Sequence, residues 1–343
     1  MTKHRPDRRQ YLAAAGSGIA AALAGCTGLG AAVDGTRSET DAGRERVTAF
    51  HAGSLGPPFS AAEPAFEEET GVEVTREVKG SVGSTKKITE QGRSADVLGV
   101  ADFRLLRDRV LPAYADWYAV FATNAMAIQY HEDAPGADRI GTDNWWEVLS
   151  RDDVTVGHSD PAVDPGGYRT VMVQQLGSVE FEGARLYDEA TYRRLRANST
   201  VPTGTEINLV SQVESGKLDY VIYYRSIAST TGLPWVDLQP HVDLSRATER
   251  YAAHYASATV ETDAGTFTGA PIAYGLTVPS VAESPAAGAR WVERFVTEPG
   301  RAALERTGFS PTEPIVAADD ESTVPDRLLD DCRVGERIGP LEL

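Results

Sequence analysis

Five short runs rich in β-branched and aromatic residues, at 47–51, 72–78, 96–101, 154–158 and 219–224, alternate with segments whose apolar residues recur at helical spacing, at 58–70, 84–91, 167–176 and 207–214. This alternation leaves few architectures. Parallel strands need a crossover between them, and the helix that makes the crossover must cover the sheet. An α/β fold with mostly parallel sheets is the expectation. Between the third and fourth runs lies WYAVFATNAMAIQY, residues 117–130, apolar and extended but interrupted at Thr123-Asn124. The interruption suits a chain leaving one lobe and entering another. A second extended pair, 251–261 and 270–279, offers the way back before a C-terminal helix over 285–297. Two lobes joined by two crossings follow, with 47–122 plus about 251–343 in one and 123–250 in the other; 343 residues are enough for two cores.

Three strand-to-helix seams share a small, polar composition. Gly53-Ser54 follows the first strand and precedes Pro57-Pro58, a good first helical turn. Gly80-Ser81 precedes the helix that carries Lys86 and Lys87, whose ammonium groups are read as a solvated face. Asp164-Pro165-Gly166-Gly167-Tyr168-Arg169 opens a third helix. Each seam can turn backbone N–H groups and a side-chain oxygen toward one point, the chemistry of an anion site at a helix start. In open α/β sheets such turns gather where ligands bind. Ordinary N-capping by Ser and Asp is the competing reading at each. Ala52-Gly53-Ser54-Leu55-Gly56 also approximates a nucleophile elbow, which would make Ser54 the nucleophile of a serine hydrolase. Against that, no HGGG-like segment is present and none of the six histidines has an evident triad context. Nor do the histidines pair at i, i+4, so a His-rich metal site is disfavoured.

The first residues read as an address. Arg8-Arg9-Gln10-Tyr11-Leu12 precedes an Ala-rich apolar stretch and then Leu23-Ala24-Gly25-Cys26, a twin-arginine export signal ending in a lipobox. The stretch from Leu12 to Leu23 is too short and Gly-interrupted to span a bilayer. Residues 1–25 are thus expected to be removed, leaving the domain on the outer face of the cytoplasmic membrane, lipid-anchored through Cys26. Residues 26–46 then serve as a flexible tether reaching on the order of 25 Å. Lipidation of Cys26 leaves Cys332 without an intramolecular partner, so no disulfide is expected. The full chain carries a formal charge of -17, and only five of its 33 basic residues are lysine. With no basic stripe, nucleic-acid binding is disfavoured. An acidic, Lys-poor surface fits a protein of high-salt surroundings, where self-repulsion is screened.

Six stretches, FHAGSL, GSVGSTKKITEQGRSADVLGVADF, DWYAVFATNAMAIQY, TDNWWEVLSRDDVTVGHSDPAVDPGGYRTVM, VESGKLDYVIYYRSIA and GAPIAYGLTVP, together resemble the molybdate/tungstate-binding lipoproteins of archaeal ABC transporters, in the right order over 47–311. The resemblance implies a type II periplasmic-binding-protein fold, a monomer with two α/β lobes and hinge crossings near 122–125 and on the return. It also implies a receptor without a cofactor, which holds the transported oxoanion between its lobes and delivers it to a membrane permease. By the same match Ser54 and Ser81 hold the anion through hydroxyls and main-chain amides, and Tyr224 donates its hydroxyl to an oxo group. Asp164 and Glu206 bring carboxylate oxygens to the metal itself. Gly166 stands where the family carries a cysteine.

Overall fold

The computed structural model describes residues 45–202, 206–335 and 338–339, the side chains of Glu206 and Ile207 excepted. Cys26, the twin-arginine segment and the tether up to residue 44 lie outside the described residues. Strand β1 (Arg46–His51) enters a 3-10 turn (Gly53–Leu55) and helix α1 (Gly56–Thr70); β2 (Glu73–Val78) leads to α2 (Ser81–Thr89). After β3 (Val97–Val100), β4 (Trp117–Thr123) carries the chain to β5 (Met126–Tyr130), α3 (Trp145–Leu149), β6 (Val156–Gly157) and α4 (Pro165–Leu176). Next come α5 (Glu189–Asn198), β7 (Ser199–Thr200), α6 (Glu206–Glu214), β8 (Tyr220–Tyr224), α7 (Arg225–Ala228) and β9 (Trp235–Asp237). Helix α8 (Glu249–Tyr255) and the hairpin of β10 (Thr259–Thr262) and β11 (Gly265–Thr268) precede β12 (Ala273–Thr277). The chain continues through α9 (Pro285–Val296), α10 (Glu298–Arg306), β13 (Ser310–Ala318) and β14 (Arg333–Gly335).

Two sheets result. A seven-stranded sheet has the order β14-β13-β4-β12-β3-β1-β2, and a five-stranded sheet the order β7-β6-β8-β5-β9. The interruption at Thr123-Asn124 is where the chain passes from the first to the second. Neither sheet is mostly parallel. β1 runs parallel to β2 and β3, and β6 parallel to β7 and β8, but β12 opposes β3 and β4, while β5 opposes β8 and β9. The reason is the crossing. Strands of the strand-then-helix repeats all end at the face between the sheets, whereas a strand arriving from the other sheet starts at that face and must run the opposite way.

A second difference concerns 251–261, expected as extended chain. Residues Glu249–Tyr255 are helical, with Tyr251, His254 and Tyr255 at i, i+3 and i+4 carrying their rings on one side. The helix and the following hairpin contact α4, and Gln175 binds the backbone of Thr259 in both directions, at 2.9 and 3.1 Å. Sandwiched between β8 and these elements, α4 is buried along its whole length save Gln175.

Under the first sheet the core is aromatic. Phe59 meets Trp291 edge-on at 5.3 Å and Phe295 at 4.7 Å, tying α1 to α9. Each of these rings is fully buried and contributes about 2–3 kcal/mol through removal of apolar surface from water. Lys87 departs from the solvated face read for it: it is 6% exposed, paired with Glu77 and lying 5.0 Å over the Phe50 ring. Its aliphatic stem covers the sheet while the ammonium finds a carboxylate. Lys86 is half-buried beside Glu90.

Candidate functional site

The carboxyl ends of β1, β2, β3, β6 and β8 all point to the face between the sheets, and the seam residues are carried there by that geometry. Ser54, in the turn after β1, is 1% exposed. It does not cap α1. Its Oγ accepts a hydrogen bond from the hydroxyl of Tyr274 on β12, at 3.0 Å. Ser81 is fully buried at the start of α2 and likewise is no cap: its Oγ accepts from the Ala101 N–H after β3, at 2.9 Å. Asp164 does cap, its Oδ1 accepting from Gly166 N–H at 3.0 Å, so the ordinary reading of an acidic helix start holds at this seam.

Two of the three seams touch. A Cβ added at Gly80 would stand 2.5 Å from the Val163 carbonyl oxygen and 2.8 Å from Asp164 Cβ, and Gly83 N–H donates to that same Val163 oxygen at 3.2 Å. Gly80 has ordinary extended dihedrals (φ -53, ψ 144), so it is the missing side chain that matters here. Only glycine lets the start of α2 meet the start of α4.

Tyr224 is fully buried at the end of β8, and its hydroxyl oxygen accepts from Arg169 Nη1 at 2.7 Å. The same Nη1 donates to the Ala101 carbonyl at 2.7 Å, so one guanidinium on α4 joins Tyr224 of the second sheet to the residue whose N–H holds Ser81. Asp102 completes the contact. It accepts from the Tyr168 hydroxyl at 2.7 Å, from Arg104 at 2.7 and 2.9 Å, and lies 3.5 Å from Arg169 Nη2. Burial by itself would raise the Asp102 carboxyl, but Arg104, Arg169 and the Tyr168 hydrogen bond hold it well below the usual carboxylate range. Phe267 of the hairpin stacks on Tyr168 at 4.2 Å, roofing the cluster. A cavity of about 420 Å³ opens beside it, lined in part by Arg104, Arg109 and Phe267 and not by Ser54, Ser81 or Asp164.

Arg169 thus joins Tyr224 to Ala101 beside Ser81 and lies against Asp102, while Tyr274, which also accepts from the Asn124 amide, meets Ser54; sequence reasoning had given Asp102, Asn124, Arg169 and Tyr274 no part in a site. Asp102 had a signal, since it follows the third strand as Ser54 and Ser81 follow the first two, though without the Gly-Ser composition. Tyr274 had none; its partner is 220 residues away. Glu206 begins α6, and that helix contacts the turn of Ser54, but its side chain is outside the described residues. The histidine nearest in sequence to Ser54, His51, pairs its Nδ1 with the Ala52 carbonyl at 2.7 Å, while the Ser54 hydroxyl meets Tyr274. Among the described residues no cluster of three His, Cys, Asp or Glu side chains is placed to hold a metal ion, and no helix is long and apolar enough to cross a membrane.

The chain is similar to known proteins in family and in fold. Residues 47–310 match the family model for the bacterial extracellular solute-binding protein. An uncharacterized solute-binding protein of Methanoculleus marisnigri is 39% identical over 82% of this chain and 85% of its own length. The molybdate/tungstate-binding protein WtpA of Pyrococcus abyssi is 33% identical over 81% and 86%. Among solved structures, the Azotobacter vinelandii periplasmic molybdate-binding protein superposes with a TM-score of 0.55 at 14% identity, over 77% of this chain and 98% of that one. The sulfate-binding protein SubI of Mycobacterium tuberculosis gives 0.54 at 16% identity, over 84% and 93%. The fold they share is that of type II periplasmic binding proteins. With two α/β lobes, two crossings and strand ends meeting between them, this chain belongs to the extracellular solute-binding protein family of ABC transporters, whose members are transport proteins rather than enzymes.

Proposed function

We propose that this protein captures molybdate or tungstate between its lobes and delivers it to the permease of an ABC importer. The observation that carries the reading is the abutment of α2 and α4 at Gly80, which sets the Ser81 and Asp164 seams against each other. Neither α1 nor α2 has a side-chain cap, and an uncapped helix start favours an anion. The WtpA relative, 33% identical over most of both chains, supports the choice of anion. In this reading Ser54, Ser81 and Tyr224 donate to oxo groups, while Asp164 and Glu206 offer carboxylate oxygens to the metal. The cap to Gly166 occupies one oxygen of Asp164, and a carboxylate has about four lone-pair positions in all.

Two carboxylates beside a dianion would repel it strongly in a closed cleft. Molybdenum(VI) and tungsten(VI) are hard centres able to take oxygen ligands beyond their four oxo groups, in keeping with the oxygen preference of hard cations. Sulfur in sulfate does not, so for sulfate the carboxylates are repulsion only. The lobes, 47–122 with about 251–343 and 123–250, would close about a hinge near 122–125. Cys26 would carry the lipid and 26–46 the tether, holding a monomeric receptor at the outer face of the membrane.

Titration calorimetry tests this. Molybdate and tungstate are expected to bind and sulfate to bind at least about 100-fold more weakly. Glu206→Gln is expected to weaken tungstate binding at an unchanged melting temperature. Sulfate binding as tight as molybdate would select the generic tetrahedral-oxoanion receptor instead, and an unaffected Glu206→Gln variant would remove that residue from the site.

A further inference from the structure

Asn124 lies at the crossing between β4 and β5, 2% exposed, and its amide is oriented by two backbone donors. Its Oδ1 accepts from Ala125 N–H at 2.9 Å and from Ser226 N–H at 3.3 Å. The amide nitrogen therefore faces the other way, donating to Ser226 Oγ at 2.8 Å and to the Tyr274 hydroxyl oxygen at 3.3 Å. Tyr274 accepts a hydrogen bond there, and its own hydroxyl donates to Ser54 Oγ at 3.0 Å. Ser54 in turn accepts, so its single proton is the one it has to give. The Asn124 amide is held by main-chain donors that cannot reverse, and Tyr274, which accepts from that amide, donates to Ser54. The series also spans both sheets: Ser226 follows β8 of the second, while Tyr274 and Ser54 belong to strands and turns of the first.

We infer that Asn124 and Tyr274 are positioning residues that set the polarity of the Ser54 hydroxyl, making it a donor to a bound oxoanion, and that this polarity is fixed from the interlobe crossing. The inference rests on the reading of Ser54 as an oxoanion ligand. A fully deprotonated oxoanion offers only acceptors, so a serine turned the wrong way would present lone pairs to it and repel. Ser81 and Tyr224 likewise accept, from the Ala101 N–H and from Arg169, contacts of the same sense as that at Ser54.

The test uses reversal and rescue. Asn124→Asp keeps shape and the two backbone contacts but puts an acceptor before Tyr274. Tyr274 then turns its proton to the carboxylate, Ser54 must donate to Tyr274, and molybdate affinity is expected to fall about tenfold or more. Tyr274→Phe alone frees the serine proton to rotate and is expected to cost about 3-fold. Added to Asn124→Asp, the same Tyr274→Phe change is expected to restore affinity in part, because Ser54 recovers its proton. A purely structural role, or simple repulsion by the new charge, predicts that the double variant binds no better than Asn124→Asp. A second cycle guards against misfolding at the crossing: in a Ser54→Ala background, Tyr274→Phe is expected to change molybdate affinity by less than about 2-fold. Calorimetry on the full chain, with melting temperatures measured alongside, reads all of these. If the unmodified chain binds molybdate but neither rescue nor coupling appears, the relay is overturned and the receptor reading stands. If the unmodified chain binds neither molybdate, tungstate nor sulfate, both fall.

Discussion

At the scale of single residues, two histidines mark the ends of equivalent strands. His51 ends β1 and His158 follows β6; each sets Nδ1 against the carbonyl of the next residue at 2.7 Å and is buried. Burial pulls both imidazoles down from 6.5 to about 4. They are therefore neutral in the folded protein where the unfolded chain would already be protonated. The stability this implies is fully present above about pH 6.5 and declines as pH falls toward 4, since the unfolded state binds the extra protons in that window. Asp243, raised by burial from 3.8 to about 6, works in the opposite sense between those values and offsets part of the loss. Each histidine is worth about 2 kcal/mol between roughly pH 7 and pH 5. Denaturant unfolding at the two pH values is expected to show the decline, and His158→Gln to flatten it. A pH-independent midpoint in that range would count against buried neutral imidazoles. None of this is visible in the sequence, where the six histidines are scattered and only burial distinguishes them.

Among elements, α2 and α4 decide whether the seams can meet. Gly80→Ala would place a methyl group 2.5 Å from the Val163 oxygen, a distance no real Cβ tolerates, and the backbone of one helix start would have to withdraw. Overpacking of this kind costs about 1–3 kcal/mol. Because the contact lies between elements of different sheets, the expected effect is a roughly 5- to 100-fold loss of molybdate affinity with little change in melting temperature. Equal loss in stability and none in affinity would place the cost inside one lobe. Strand and helix positions at the seams are legible in the sequence because they depend on local period and Gly/Pro punctuation. Helix α8 is not, since its two apolar rings near Tyr251 suit either a strand or a helix face, and packing against α4 makes the choice. Strand direction is equally hidden. Period reveals that a strand exists and says nothing of which neighbour it joins.

For the whole molecule the overriding influence is charge. At -17 for the full chain, and more negative still without the cationic residues 1–25, the chain repels itself unless salt screens it. Dialysis from molar salt to a few tens of millimolar is expected to lower the melting temperature markedly; unchanged melting would reject a high-salt origin for this composition. Composition and local pattern by themselves determined the α/β class, the break at Thr123-Asn124 between two sheets, the three seams and the acidic surface, since each depends on neighbours in sequence. Tertiary structure alone decided that the sheets are mixed, that Lys87 is covered, and that Ser54 and Ser81 accept from Tyr274 and Ala101 instead of capping helices. Hydrogen-bond partners 20 and 220 residues away settle which way a hydroxyl points, and such distances leave no local trace.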